Sequence, residues 1–291
     1  STMDVAQLRQ QLNLYIALLK QAPYSDSASI ATDDASAIIQ YGLDNEFLER
    51  IEHKLGDVVT TDEKTALQMA YVRNNSLHLF ILPGLICSLV MNARSISMDT
   101  LQSMVHLLYP FLRNEYYLHW QDGDDLSQAV SKTVDVLEAE QLISREDNCL
   151  HGAPIHTHES DMLDHLGQTV MPSLERYYLT IRLLVQYGSG MLTAEQLGEL
   201  AHQTAQRLSL LYEFNSPEFF DKVVLKNFIS QLYGTGLVTT DGAGALVFDD
   251  KLESLDDEAR RILSPDISDA IQRVTRVTDI EHLVEPTPSA S

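Results

Sequence analysis

Apolar positions recur at helical spacing along most of the chain. In TMDVAQLRQQLNLYIALLK, Val5, Leu8, Leu12, Tyr15 and Leu19 fall on one stripe, which predicts an amphipathic helix with Thr2 as its N-cap. A shorter helix is predicted over 33–43, after Thr32. Residues 64–92 read as one long helix kinked at Pro83. SMDTLQSMVHLLYPFL opens another near Ser97, and DLSQAVSKTVDVLEAE gives one over 125–140. Residues 158–187 read as one long helix that Pro172 must kink or divide. TAEQLGELAHQTAQRLSLLY starts with a capping box, Thr193 to Gln196. SPEFFDKVVLKNFISQLY starts with Ser216 as N-cap and Pro217 as the first helical residue. The polar, Pro-rich end EPTPSAS is expected to be disordered.

Three times the helical pattern gives way to a short hairpin. FLERIEHKLGDVVTT turns at Gly56-Asp57, QLISREDNCLHG near Asp147-Asn148, and GLVTTDGAGALVFD at Asp241-Gly242 with Gly244 relaxing the loop. The expected fold is therefore mainly α, multi-helical with short β-hairpins in winged-helix-like modules. The expected divisions are 1–65, 66–155 and 156–280, with a tail over 281–291. Winged helices often bind DNA, but here Glu49, Glu52, Asp57, Glu146, Asp147, Asp241, Asp249 and Asp250 make the wings acidic where a DNA reader is basic.

Composition points the same way. The formal net charge is −22, from 20 basic and 42 acidic residues, a field that repels phosphate backbones and argues against a nucleic-acid partner. No dense Lys/Arg cluster favours adhesion to anionic lipid. Cys87 and Cys149 are too few and too far apart for a disulfide framework, which fits a reducing compartment. The start, STMDVAQL, has neither the basic nor the apolar region of a signal peptide. The longest apolar run, Leu77–Met91, is shorter than the roughly 20 residues of a spanning helix and reads as a buried, kinked core helix in preference to the alternative, a membrane-inserted segment.

Two stretches invite a chemical reading. HTHESD places His156 four residues before Asp161, with His158, His151 and His165 nearby. It reads as a catalytic dyad, a zinc site, or a polar loop entering a helix. His158, Asp161 and His165 at i, i+3 and i+7 share a helical face. However, Thr157, Glu159 and Ser160 suit an exposed first helical turn, which accounts for every residue without a metal. Neither metal nor cofactor is assigned, and neither a G-x-S-x-G elbow nor a phosphate loop is present. In YVRNNSLHLF, the polar residues Arg73, Asn74, Asn75 and His78, beside Tyr71, meet the most apolar segment. They serve either a structural network tying this helix to its neighbours or a patch facing a partner domain.

YVRNNSLHLFILPGL resembles a segment of the bacterial membrane-associated glycerol-3-phosphate 1-O-acyltransferases, through Tyr71, Arg73, Asn74, Asn75, His78 and Pro83. LYPFLRNEYYLHW, AQRLSLLYEFNSPEFFDKVV and NLYIALLKQAPYSDSASI are similar to further family segments in collinear order, over about residues 4–277. The resemblance is to the family's C-terminal region.

What the resemblance implies is a non-catalytic C-terminal domain that packs on and supports an N-terminal acyltransferase domain. The implied whole protein transfers an acyl chain from acyl-CoA or acyl-carrier protein to glycerol 3-phosphate, giving lysophosphatidic acid, the first step of phospholipid synthesis. The implied location is peripheral, on the cytoplasmic face of the inner membrane, with this segment soluble. The family's catalytic His-x4-Asp motif lies N-terminal to the matched region. His156 and Asp161 lack its following phosphate-binding segments, so no catalytic residue is carried over and the pair reads as a decoy. Tyr71, Arg73, Asn74, Asn75 and His78 are the candidate interdomain contact. Two other readings are a stand-alone acidic winged-helix-type protein-interaction module and an autonomous enzyme using His156 and Asp161.

Overall fold

A computed structural model of the chain describes residues 2–25, 27–212 and 221–277. Its chain contacts divide it into two units, Ser1–Val170 and Met171–Ser291. The sequence patterns place their breaks after 65 and 155 instead. The difference arises because the first helix of the first hairpin module packs on the second helix of the next, which joins the two modules in one unit.

The first unit opens with β1 (Thr2–Asp4), α1 (Val5–Gln21), α2 (Ala35–Asp44), β2 (Glu49–Ile51) and β3 (Val58–Thr60). The three strands form an antiparallel sheet in the order β1-β3-β2. Thr2 lies in β1, opposite Thr60, and does not cap α1. That role falls to Asp4, whose Oδ1 accepts the amide of Ala6 at 2.7 Å. The α1 residues buried deepest are Leu14, Ala17 and Leu18, displaced from the predicted stripe because the second half of the helix is the part that packs. Helix α2 starts behind Asp34 rather than at residue 33.

The same order then repeats. β4 (Ser95–Ser97), α5 (Met98–Tyr116), α6 (Asp124–Ala139), β5 (Ile143–Glu146) and β6 (Cys149–Gly152) give a sheet ordered β4-β6-β5. Asp147 and Asn148 form the two-residue turn, with φ of 47° and 64°, the left-handed region a tight hairpin requires. Ser97 caps α5 as expected.

Between the two modules lie α3 (Glu63–Ser76), a 3-10 turn (Leu77–Leu79) and α4 (Ile81–Ala93). The predicted single helix is broken at 77–80, with 81° between its parts, and not at Pro83. Proline disturbs the turn before it, by clashing with the carbonyl four residues back, here Leu79. Pro83 itself sits in the first turn of α4, where its missing N–H leaves no bond unmade. Every residue from Ile81 to Val90 is buried, among α5, α6, β6 and α7 (His158–Gly167).

The second unit holds α8 (Met171–Tyr187), α9 (Ala194–Tyr212), α10 (Lys222–Gly234), β7 (Thr239–Thr240), β8 (Leu246–Val247), α11 (Asp250–Ile262) and α12 (Pro265–Val277). The helix predicted over 158–187 is divided, with α7 ending at Gly167 and α8 starting one residue before Pro172. The capping box closes as predicted. The Thr193 amide donates to Gln196 Oε1 at 2.9 Å, and the Gln196 amide to Thr193 Oγ1 at 3.2 Å. A bridge pairs Thr193 with Ala245, so this third module again runs from an extended segment through two helices to a hairpin. The start predicted at Ser216-Pro217 lies outside the described residues, as do the 281–291 tail and its expected disorder; the described helix begins behind Asp221.

Candidate functional site

Helix α3 stands apart from the others in unit 1. Asp62 caps it, accepting the Thr65 amide at 3.0 Å, yet none of its 14 residues is buried. Its solvent side includes Leu67 at 65 %, Tyr71 at 77 % and Val72 at 68 % exposure. Leu67, Tyr71 and Asn74, at i, i+4 and i+7, form one stripe. Arg73 and Asn75 are also exposed, and Arg73 Nη2 donates to Asn74 Oδ1 at 3.4 Å.

The break after α3 turns the fifth candidate residue inward. His78, in the 3-10 turn, lies edge-on to Tyr24 at 4.8 Å between ring centres. Tyr24 in turn stacks on His119 at 4.4 Å and donates its hydroxyl to the Tyr117 carbonyl at 2.9 Å. The structure thus places Tyr71, Arg73, Asn74 and Asn75 together on an exposed helix, and His78 at its inner end.

HTHESD is a turn followed by a helix start. His156 is exposed with φ 68°, Thr157 caps α7, and the Ser160 amide donates to Thr157 Oγ1 at 3.1 Å. Among the described residues the Asp161 amide donates to the Thr157 carbonyl, and no hydrogen bond joins His156 to Asp161. No group of three or more His, Cys, Asp and Glu side chains among the described residues is placed to hold a metal ion.

One feature escaped the sequence patterns. His158, Asp161, Met162, Asp164 and His165 of α7 face Met3, Gln7 and Gln11 across a cleft of about 190 Å³. His158 Nε2 itself is buried, without a hydrogen-bond partner. The opposing residues are some 150 positions apart in sequence, so spacing within either segment could not reveal the cleft.

A second polar group, His106 with Asp122 and Ser127, has the connectivity of a Ser-His-Asp triad. His106 Nδ1 is 2.5 Å from Asp122 Oδ1 and Nε2 is 2.9 Å from Ser127 Oγ. Asp124 and Asp125 stand in the same first turn of the helix, so a developing oxyanion there meets negative charge. The group ties α5 to the start of α6.

No described helix is long and apolar enough by itself to cross a membrane; α3 with its 3-10 turn and α4 pass that test only as a bent pair, and α4 is buried.

The fold and its surface therefore define a helical polypeptide of repeated strand–helix–helix–hairpin modules, with one helix left uncovered. Residues 1–241 match the glycerol-3-phosphate acyltransferase C-terminal region, and the chain belongs to that family. It is 35 % identical over 273 residues to a glycerol-3-phosphate acyltransferase of Pseudomonas entomophila, covering 94 % of this chain and 33 % of that protein. With the glycerol-3-phosphate acyltransferase of Pseudomonas fluorescens it shares 35 % identity over 291 residues, covering 98 % of this chain and 34 % of that protein. The chain thus spans about a third of the length of these relatives.

Proposed function

We propose that this chain is the non-catalytic C-terminal domain of a glycerol-3-phosphate 1-O-acyltransferase, packing on and supporting an N-terminal catalytic domain. In this reading the whole protein joins an acyl group from acyl-CoA or acyl-carrier protein to glycerol 3-phosphate, peripherally at the cytoplasmic face of the inner membrane. The family match and the fractional coverage of the relatives support it. The observation that carries the docking surface is α3, a helix with no buried residue and a stripe of exposed apolar and polar side chains. Isolated helices this short are marginal in water, so α3 needs a partner surface. The acyltransferase domain is that partner, and Tyr71, Arg73, Asn74 and Asn75 meet it. The test is Arg73→Ala in the full-length protein, which lowers activity or thermal midpoint by more than changes at other exposed positions.

A second reading has one observation in its favour. The strand–helix–helix–hairpin order recurs, with acidic residues in the hairpins, as in winged-helix-like modules used for docking a basic protein partner. It separates from the first by whether an acyltransferase coding region lies in frame upstream.

A further inference from the structure

The first sheet ends on an open edge. In the order β1-β3-β2, strand β2 pairs with β3 on one side and, among the described residues, with no strand on the other. All three of its residues, Glu49, Arg50 and Ile51, are exposed. Phe47 just before the strand is exposed too, with the exposed Tyr41 ring 6.4 Å from its own, and Leu55 at the hairpin tip is 90 % exposed. That tip is a built turn. The Leu55 amide donates to His53 Nδ1 at 3.2 Å, and Arg50 pairs with Asp57 across the hairpin. Natural proteins guard open edges with charge or cover them. The matching edge of the second sheet, β5, follows that rule, with Ile143 buried and Ser144, Arg145 and Glu146 polar. The β2 edge instead carries exposed apolar side chains.

The charges along this edge decide what fits it. In an antiparallel ladder, directly opposite residues either both face their backbone groups to the partner strand or both face them away. A strand paired with its own copy therefore has its two-fold axis through a residue, not between two. An axis through Glu49, Arg50 or Glu52 sets a charged residue opposite its own copy, which is destabilising. An axis through Ile51 sets Ile51 opposite Ile51, Arg50 opposite Glu52 and Glu49 opposite His53. It also brings Phe47 toward the hairpin tip that carries Leu55. One register thus joins apolar to apolar and cation to carboxylate, and sets no like charges opposite.

We propose that the β2 edge is a self-association surface, through which two copies of this chain join in a two-fold antiparallel ladder centred on Ile51. The two three-stranded sheets then become one continuous sheet. The interface uses neither α3 nor Arg73, so it goes beyond the reading above and does not depend on it.

Sedimentation of the 291-residue chain tests it, at about 0.15 M salt so that the net charge of −22 is screened. The expected result is a reversible monomer–dimer equilibrium that Ile51→Lys weakens by tenfold or more. The thermal midpoint of the dilute monomer stays unchanged in that variant, because Ile51 is exposed. Glu52→Arg, which sets a like charge opposite Arg50, also weakens the dimer. Cysteine crosslinking reads the register. Under mild oxidation Ile51→Cys is expected to give a disulfide-linked dimer at least tenfold faster than Glu49→Cys, since residue 51 lies opposite its own copy and residue 49 does not. Ile51→Cys in the full-length protein is expected to crosslink in the same way. A chain that stays monomeric up to about 100 µM overturns the proposal. So does a dimer indifferent to Ile51→Lys or Glu52→Arg, or crosslinking through Glu49→Cys as fast as through Ile51→Cys. A monomer that instead binds phosphatidylcholine vesicles, with binding lost in Ile51→Lys, gives the edge to lipid and overturns it. A full-length Ile51→Cys variant that does not crosslink shows the edge covered by the rest of the polypeptide, and overturns it too.

Discussion

Gly84 of α4 lies directly beneath Thr169. A Cβ built on Gly84 would fall 2.1 Å from Thr169 Oγ1 and 2.7 Å from the Leu166 carbonyl oxygen. One residue type alone permits the two helices to cross this closely. Gly167 faces α4 from the other side, but its Cβ position is 3.4 Å from the backbone of Ser88, an ordinary van der Waals contact. The Pro83-Gly84 pair, which reads in sequence as a helix breaker, serves a helix start and a helix crossing. Gly84→Ala is expected to destabilise unit 1 by about 1–3 kcal/mol, the usual cost of overpacking a core. Thr169→Ala in the same chain recovers only part of it, because the Leu166 carbonyl remains. Urea unfolding of the two single variants and the double variant reads the coupling.

The docking patch gives a second expectation. In the full-length protein, Tyr71→Ala and Arg73→Ala lower activity or thermal midpoint, with about 1–2 kcal/mol lost for the tyrosine if it is an anchor of the interface. In the isolated chain both residues are exposed, so the same substitutions stay within about 0.5 kcal/mol of wild type. Comparing thermal midpoints of the pair in the two contexts measures the difference.

Glu175 of α8 makes stability depend on pH. It is 7 % exposed, and burial pushes its carboxyl up to about 8, against a smaller opposing pull from the Arg176 charge. A carboxyl whose folded-state pKa is raised favours the protonated form. Its contribution is therefore fully present below about pH 4.5, declines as pH rises, and is lost by about pH 8. Glu175→Gln keeps a neutral, similar-sized group at every pH. The variant is expected to match wild type near pH 4.5 and to exceed it at pH 8 by on the order of 2–4 kcal/mol. Chemical denaturation at the two pH values decides it.

His156 has the sequence spacing of a catalytic base and none of the surroundings. His156→Ala in the full-length protein is expected to leave acyl transfer within twofold of wild type. The isolated chain is expected to release no CoA from acyl-CoA. A loss of 100-fold or more in the variant would place His156 in the chemistry, since removing a general base costs about that much or more.

How legible was this protein in its sequence? Several signals confined to a few neighbouring residues read correctly, although the cap expected of Thr2 falls to Asp4. Thr193 and Gln196 close their reciprocal bonds, Ser97 caps α5, and Asp147-Asn148 turns the second hairpin. These depend on local side chain-to-backbone geometry, which the spacing fixes. Strands β1 and β4 gave no signal. Each is three residues long, too short for alternation to show, and each is held by a hairpin strand far along the chain, as Thr2 is by Thr60. The break before Pro83 was misplaced by one turn because proline acts on the residues that precede it.

The candidate patch was legible as polar residues beside an apolar run. Its division was not, because the break at 77–80 that leaves Arg73 exposed and turns His78 onto Tyr24 depends on α4 being drawn into the core. The cleft was invisible for the reason that governs all tertiary sites. Gln7 and Asp161 meet only after α1 and α7 have been packed into one unit.

The central claim is that this chain supports catalysis carried by the remainder of its polypeptide. The most direct measurement mixes the 291-residue chain with the separately produced remainder and follows acyl transfer to glycerol 3-phosphate. The account predicts that the chain alone is inactive, that the remainder alone is impaired, and that mixing restores activity with one-to-one binding, weakened by Tyr71→Ala and Arg73→Ala. Turnover by the chain alone, or a remainder that is fully active and indifferent to the chain, would contradict it.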